Sequence, residues 1–263
     1  MAVSARGLRR ALDGRVVLDG IDVDIDTGRI TAVIGPNGAG KSTLLRLLAG
    51  VDAPDAGEVT LQGTPVRALP AMTRARRIAF LPQAAEPQWP LAGRDVVSLG
   101  RLPHGAGFDR LSADDARAVD QAMARTGTAD FAARRVDHLS AGERARLLLA
   151  RALATEADVL MADEPTAALD PAYQLAAMAA LRHEAGRGAA VGLALHDLGL
   201  AARFCDQLVL LAAGRVLASG SPADVLRPDA LRTAYGVTFD LVAWGDHRLP
   251  VPLASHSGAG ASP

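Results

Sequence analysis

The segment Gly35-Pro36-Asn37-Gly38-Ala39-Gly40-Lys41-Ser42-Thr43 satisfies the pattern G-x-x-x-x-G-K-[ST] and constrains this 263-residue chain more than any other feature. At this chain's own residue frequencies, a chance match is on the order of one in a thousand. The flanks supply the context that the pattern needs. Ile30-Thr31-Ala32-Val33-Ile34 is a short apolar, β-branched run, the signature of a buried parallel strand. Beyond the loop, Leu44, Leu45 and Leu48 are spaced to bury one face of a helix that starts near Lys41. Glycines let backbone amides converge on phosphate oxygens, and the helix N-terminus adds partial positive charge. Lys41 then reaches the β- and γ-phosphates, and the Ser42 hydroxyl ligates Mg²⁺. A plain glycine turn explains the glycines but not the lysine, which is the single lysine among 28 basic residues. Where composition has driven every other such cation to arginine, a compact ammonium has a reason of its own.

A second run, Val159-Leu160-Met161-Ala162, ends in Asp163-Glu164-Pro165. A buried strand that ends in two acids puts carboxylates at the C-terminal edge of a sheet, where α/β folds bind ligands. There Asp163 holds Mg²⁺ through its water shell, and Glu164 orients or deprotonates an attacking water. In isolation the same triplet also reads as a helix start, with acids near the N-terminus and proline early. Between the two motifs lies Leu139-Ser140-Ala141-Gly142-Glu143-Arg144. Ser140-x-x-Glu143 fits a capping box, with Leu148, Leu149 and Ala152 as the apolar stripe of the helix that follows. A helix start of this kind also offers free amides to a phosphate.

Net charge is −1, which leaves no electrostatic footprint for a nucleic-acid backbone and no polybasic membrane patch. One cysteine, Cys205, excludes an intrachain disulfide and a Cys-rich zinc site. The longest apolar runs fall far short of the ~20 residues that span a bilayer, and no secretory signal follows Met1. The chain therefore reads as cytosolic and soluble.

With these motifs in hand, the chain resembles the nucleotide-binding subunit of an ATP-binding cassette (ABC) transporter over essentially its whole length. Gly35 to Thr43 matches the Walker A loop, and Gln83 stands where the family has its Q-loop. Leu139 to Glu143 matches the signature motif, and Val159 to Glu164 matches Walker B with the catalytic glutamate. Ala168-Leu169-Asp170 resembles the D-loop, and His196 takes the switch-histidine position. The order is the family's, with Ser140 lying 23 residues before Asp163 and His196 lying 32 after Glu164. Alone, Gln83 would read as an exposed loop polar and His196 as a histidine at a strand end; the ordered set gives both a role. The resemblance implies Glu164, His196 and Gln83 as catalytic residues and Ser42, Gln83 and Asp163 around Mg²⁺. It implies ATP on residues 35–43, met in trans by Ser140, Ala141, Gly142 and Asp170 of a second copy.

Two features depart from the family's pattern in the signature: Ala141 replaces a glycine, adding a methyl near the phosphate approach, and Glu143 replaces glutamine. A third lies upstream of Walker A, where the family stacks adenine on an aromatic residue. Here the matching position falls on Leu12, so an aliphatic contact replaces stacking.

The implied fold is α/β: a P-loop NTPase (RecA-like) parallel sheet core with an antiparallel β subdomain and an inserted α-helical subdomain. Short alternating stretches place the antiparallel part in residues 1–30 and 57–66. Strand and helix patterns alternate in 30–85 and 155–220, and residues 86–154 read as helical, including a helix capped by Ser112 with Asp115 at its third position. Residues 221–240 read as two short helices opened by Ser221-Pro222, and 256–263 as a disordered tail. One cassette per chain implies an ATP-driven head-to-tail homodimer of two equivalent sites.

Val96-Val-Ser-Leu-Gly-Arg101-Leu-Pro-His104 is similar to a segment of importers for iron-siderophore, haem and cobalamin, as is the tail from Tyr235 to Leu253. The resemblance thus implies a polytopic permease dimer at the inner face of the cell membrane and, indirectly, an external substrate-binding protein. Trp89 is a candidate contact for the permease's cytoplasmic helix or an ordinary packing residue. A zinc or manganese importer ATPase is the nearest alternative. A non-transport ABC ATPase would carry two cassettes or a long insertion, and a small-molecule kinase would leave Asp170 and His196 unexplained.

Overall fold

The computed structural model of the chain describes residues 1–83, 90–107 and 111–255. Trp89 and the tail from residue 256 lie outside the described residues. Strands β1 (Val3–Leu12) and β2 (Arg15–Ile25) pair antiparallel around Asp13 and Gly14, whose φ of 49° and 78° match the tight turn that a right-twisted hairpin needs. A core strand, β3 (Ile30–Ile34), and the first long helix, α1 (Lys41–Leu48), follow. Then β4 (Ala56–Leu61) and β5 (Thr64–Pro65) complete the antiparallel sheet in the order β2-β1-β4-β5.

The core sheet runs β10-β9-β3-β8-β7-β6, from β6 (Ile78–Leu81), β7 (Val159–Asp163), β8 (Ala190–Ala194), β9 (Gln207–Ala212) and β10 (Arg215–Gly220). All neighbours are parallel except β10, which returns antiparallel on β9. Strands β3, β7 and β8 are buried at every residue because both sheet faces are covered. Along β3, Ile30, Ala32 and Ile34 pack in one apolar cluster, and Val33 packs in the other. The second cluster holds Leu44, Leu45, Leu47 and Leu48 of α1, which is wedged between the core sheet and the antiparallel sheet.

The opposite face is covered by α5 (Ala141–Ala154) and α6 (Pro171–Gly186), with the shorter α7 (Leu198–Phe204) beside them. Before α5 come α2 (Ala71–Arg77), α3 (Gly93–Ser98) and α4 (Ala113–Arg125). The Ser112 hydroxyl caps α4 by accepting from the Asp115 N–H at 3.1 Å. Ser140 and Glu143 form a complete capping box at α5.

The Leu-Gly-Arg stretch turns out to anchor this helical layer. Leu99–His104 is a 3₁₀ segment, not a glycine-terminated helix end. A Cβ on Gly100 would sit 2.3 Å from the Arg151 carbonyl oxygen, so glycine lets the segment lie against α5. Arg101, 6% exposed, donates to Asp115 at 2.8 Å, to the Ala154 carbonyl at 2.8 Å and to Glu156 at 3.0 Å.

At the C-terminus, Ser221 caps α8 (Pro222–Val225) and α9 (Pro228–Tyr235) follows. The two short helices expected in 221–240 form but stop at Tyr235, so the end of that range is strand instead. Gly236, at φ 67°, ends α9, and the alternation from Val237 onward continues into a hairpin of β11 (Val237–Trp244) and β12 (His247–Ser255) turning at Gly245, φ 56°. Cys205 is buried, which pushes its thiol up to about 12 and makes it a packing residue.

Removing the Arg101 guanidinium leaves the Asp115 carboxylate, one of the buried acids, without its ion-pair partner. Arg101→Met should cost about 3 kcal/mol in urea unfolding, because an unpaired buried charge remains, whereas an exposed pair such as Arg215–Asp19 should cost well under ~1 kcal/mol.

Candidate active site

Four parallel strands end at one edge of the core sheet, and each delivers polar groups there. β3 opens into the glycine loop, β7 ends in Asp163 and passes to Glu164, β8 is followed by His196 and β6 by Gln83. They meet around a cleft of about 820 Å³. Asn37, Gly38, Gly40, Lys41, Ser42 and Thr43 line one part of it, and Gln83, Glu164 and His196 line another.

The loop depends on its glycines where chain meets chain. Gly35 has φ 148°, and a Cβ there would lie 2.1 Å from the Leu211 carbonyl oxygen of β9. Gly40 has φ 103°, and its Cβ would strike Leu18 of β2 at 2.6 Å. The loop is therefore pinned between the two sheets, with Ala39 buried and its N–H bonded to the Pro36 carbonyl at 3.2 Å.

Lys41, 5% exposed, donates through Nζ to the carbonyls of Gly35 at 2.9 Å and Pro36 at 3.1 Å. Burial lowers the pKa of the ammonium, and the nearby carboxylates of Glu164 and Asp163 oppose that shift. Ser42 Oγ donates to Asp163 Oδ1 at 3.1 Å. Burial raises the Asp163 pKa; the Ser42 hydrogen bond opposes this, the Glu164 charge adds to it, and Lys41 and His196 also pull it down. Both oxygens of Glu164 are held: Oε2 accepts from Gln83 Nε2 at 2.6 Å, and Oε1 meets His196 Nε2. Glu164 itself sits in the left-handed region at φ 52°, with its N–H bonded to the Ala194 carbonyl at 3.2 Å. Strained backbone of this kind gathers at functional positions, where the surrounding structure enforces it.

Other expected site residues lie elsewhere on the surface. Ser140, Ala141 and Asp170 are exposed, Gly142 is half-buried, and none of them lines the cleft of its own chain. Leu12 also fails to line it. It pairs with Arg15 across the hairpin turn, and the returning strand, through Arg15, Val16 and Val17, forms the cleft wall instead. Ala213 and Gly214, at the β9–β10 turn, close that wall. The signals for these residues were the Asp13-Gly14 turn, which folds the strand back, and Gly214, where a Cβ would lie 2.5 Å from the Val17 carbonyl oxygen.

Strand order, glycine loop and paired acids define a P-loop nucleotide-binding protein. The ABC transporter family profile matches residues 18–167. The hemin import ATP-binding protein of Streptomyces coelicolor is 49% identical over 233 residues, covering 88% of this chain and 82% of that protein. The cobalamin import ATP-binding protein of Halobacterium salinarum is 48% identical over 236 residues and 89% of this chain, which spans 59% of that protein's length. Among solved structures, a chain of an ABC transporter of proposed metal-chelate type, in an inward-facing conformation, superposes with a TM-score of 0.82 at 26% identity, covering 96% of this chain and 97% of that one. The chain belongs to the ABC transporter family. No helix among the described residues is long and apolar enough to cross a membrane.

The raised pKa of Asp163 carries a sign. The folded chain keeps this proton at pH values where the unfolded chain has released it, so the group's contribution to stability falls as pH rises from the ordinary carboxylate range through its native value. Asp163→Asn, measured by urea unfolding without nucleotide, should therefore gain more stability over the parent at about pH 7 than at about pH 4.

Proposed function

We propose that this chain is the ATP-hydrolysing subunit of an importer, working as a head-to-tail pair beneath a membrane permease. One observation carries the reading. A single chain gathers Lys41, Ser42, Glu164, Gln83 and His196 at one cleft, with Asp163 bonded to Ser42, yet leaves Ser140, Ala141 and Asp170 exposed and Gly142 half-buried away from it. A two-fold pair would bring the second surface of each copy over the cleft of the other, closing two equivalent sites.

At such a site, the amides of residues 35–43 and the Lys41 ammonium bind the β- and γ-phosphates. Glu164, held by Gln83 and His196, orients the attacking water and takes its proton as the new P–O bond forms and the bond to the ADP oxygen breaks. The site also fits a divalent cation. Among the described residues no cluster of three or more His, Cys, Asp or Glu could hold a metal alone. The neighbouring Ser42 hydroxyl and Asp163 carboxylate instead suit Mg²⁺ bound mainly by phosphate and water oxygens. Ser42 and Asp163 would hold Mg²⁺ there, and its charge would offset that of the phosphates. Binding favours the closed pair and hydrolysis favours its opening, a differential-affinity switch that a partner can read.

A groove of about 510 Å³, walled by Phe80 of β6, Leu102, Pro103 and Ala152 of α5, lies on the strand that leads to Gln83. Its place supports docking of the permease's cytoplasmic helix, which would hold the subunit at the inner face of the cell membrane. The names of the hemin and cobalamin relatives favour a haem, cobalamin or iron-siderophore cargo over zinc or manganese. Uptake into vesicles with the cognate permease, using a panel of such chelates, tests the cargo.

Glu164→Gln should lower steady-state phosphate release by on the order of 10²–10³-fold and yield a dimer in light scattering only when ATP is present. A monomer under those conditions overturns the paired site.

A further inference from the structure

Arg146, on α5, is 7% exposed and has no carboxylate partner among the described residues. Its guanidinium lies over two rings, 3.7 Å from the centroid of Tyr173 and 5.0 Å from that of Phe131. Nη1 donates to the Gly127 carbonyl at 3.0 Å, while Nε has no partner. A buried planar cation lying over two rings is held by their π-faces, which an ammonium of different shape and hydration would not match.

The elements joined here are the two that the cleft leaves outside. One turn before Arg146, a Cβ on Gly142 would approach the Ala168 carbonyl to 3.2 Å, so the first turn of α5 lies against the Ala168–Asp170 segment. Contacts then run from one exposed segment to the other. Ser140 shares its capping box with Glu143, and Glu143 pairs with Arg134 at 2.9 Å. Arg134 lies 5.2 Å from the Phe131 centroid, and the opposite end of the chain runs from Phe131 through Arg146 to Tyr173. The Tyr173 N–H donates to Asp170 Oδ1 at 3.2 Å, the N-cap bond of α6.

We infer that Arg146, clasped by Tyr173 and Phe131, is a positioning residue that binds Ser140–Gly142 and Asp170 into one receiving surface, so that both meet a second copy's nucleotide together. The inference rests on the paired site proposed above. Neither Arg146 nor Tyr173 lines the cleft, so the clasp serves pairing rather than nucleotide capture by a lone chain.

The test uses the full chain carrying Glu164→Gln, with Tyr173→Leu, Tyr173→Phe or neither added. Fluorescent ATP binding to dilute monomer and the ATP concentration for half-maximal dimerisation are measured side by side. Tyr173→Leu should leave monomer binding within about twofold and raise the half-maximal ATP concentration about 4-fold, as expected for a lost cation–π contact whose ring is 41% exposed. Tyr173→Phe, which keeps the ring, should restore the parent value. Parent-like dimerisation by Tyr173→Leu overturns the inference, as does an equal loss of monomer binding and dimerisation, which marks general damage to the fold. If the Glu164→Gln parent itself fails to dimerise with ATP, the paired-site reading fails instead.

Discussion

The Lys41 ammonium, sunk beneath its own loop and bonded to two backbone carbonyls, is the interaction on which the site's arrangement depends. Burial alone would favour its neutral form; Glu164 and Asp163, delivered by the neighbouring β7, work the other way. The carboxylates in turn need company. Asp163 takes the Ser42 hydroxyl, and Glu164 takes Gln83 and His196 from the two strands flanking β7. Four strands thus exchange charge and hydrogen bonds at one edge, and they do so because they are parallel and their C-terminal ends coincide.

That edge is held by close packing from outside it. Gly35 lies against β9 and Gly40 against β2, so the phosphate loop depends on the core sheet and the antiparallel sheet alike. The wedge of α1 between them fills with leucines the space that fixes their separation. Glu164 shows the cost of the arrangement: a non-glycine residue in left-handed conformation, kept there by the chain turning away from β7 with its N–H on the Ala194 carbonyl.

Local chemistry made much of this legible in the sequence. The apolar runs at Ile30–Ile34 and Val159–Ala162 became buried strands, and the Ser112 and Ser140 caps formed through the hydrogen bonds that their spacing implies. The loop side of the cleft followed from one pattern, since loop, strand and helix there are consecutive. The wall did not, because Arg15–Val17 and Ala213–Gly214 come from separate hairpins, and only the folded chain shows which side of a turn meets the cleft. Leu12, the position to which the family resemblance points, is exposed beside the Asp13-Gly14 turn, and the returning strand lines the cleft wall. The terminal hairpin was obscured by its own irregularity, with prolines at 250 and 252 and a register shift near Phe239.

The single lysine has a chemical corollary. In a chain whose other side-chain cations are guanidiniums or imidazoles, Lys41 is the sole ε-amine. A reagent selective for ε-amines thus finds one target within this sequence, Lys41, at the cleft. Acylation there would trade the ammonium for a neutral amide and remove the charge that faces Glu164 and Asp163, so a ligand that covered Lys41 would slow labelling without any engineered probe.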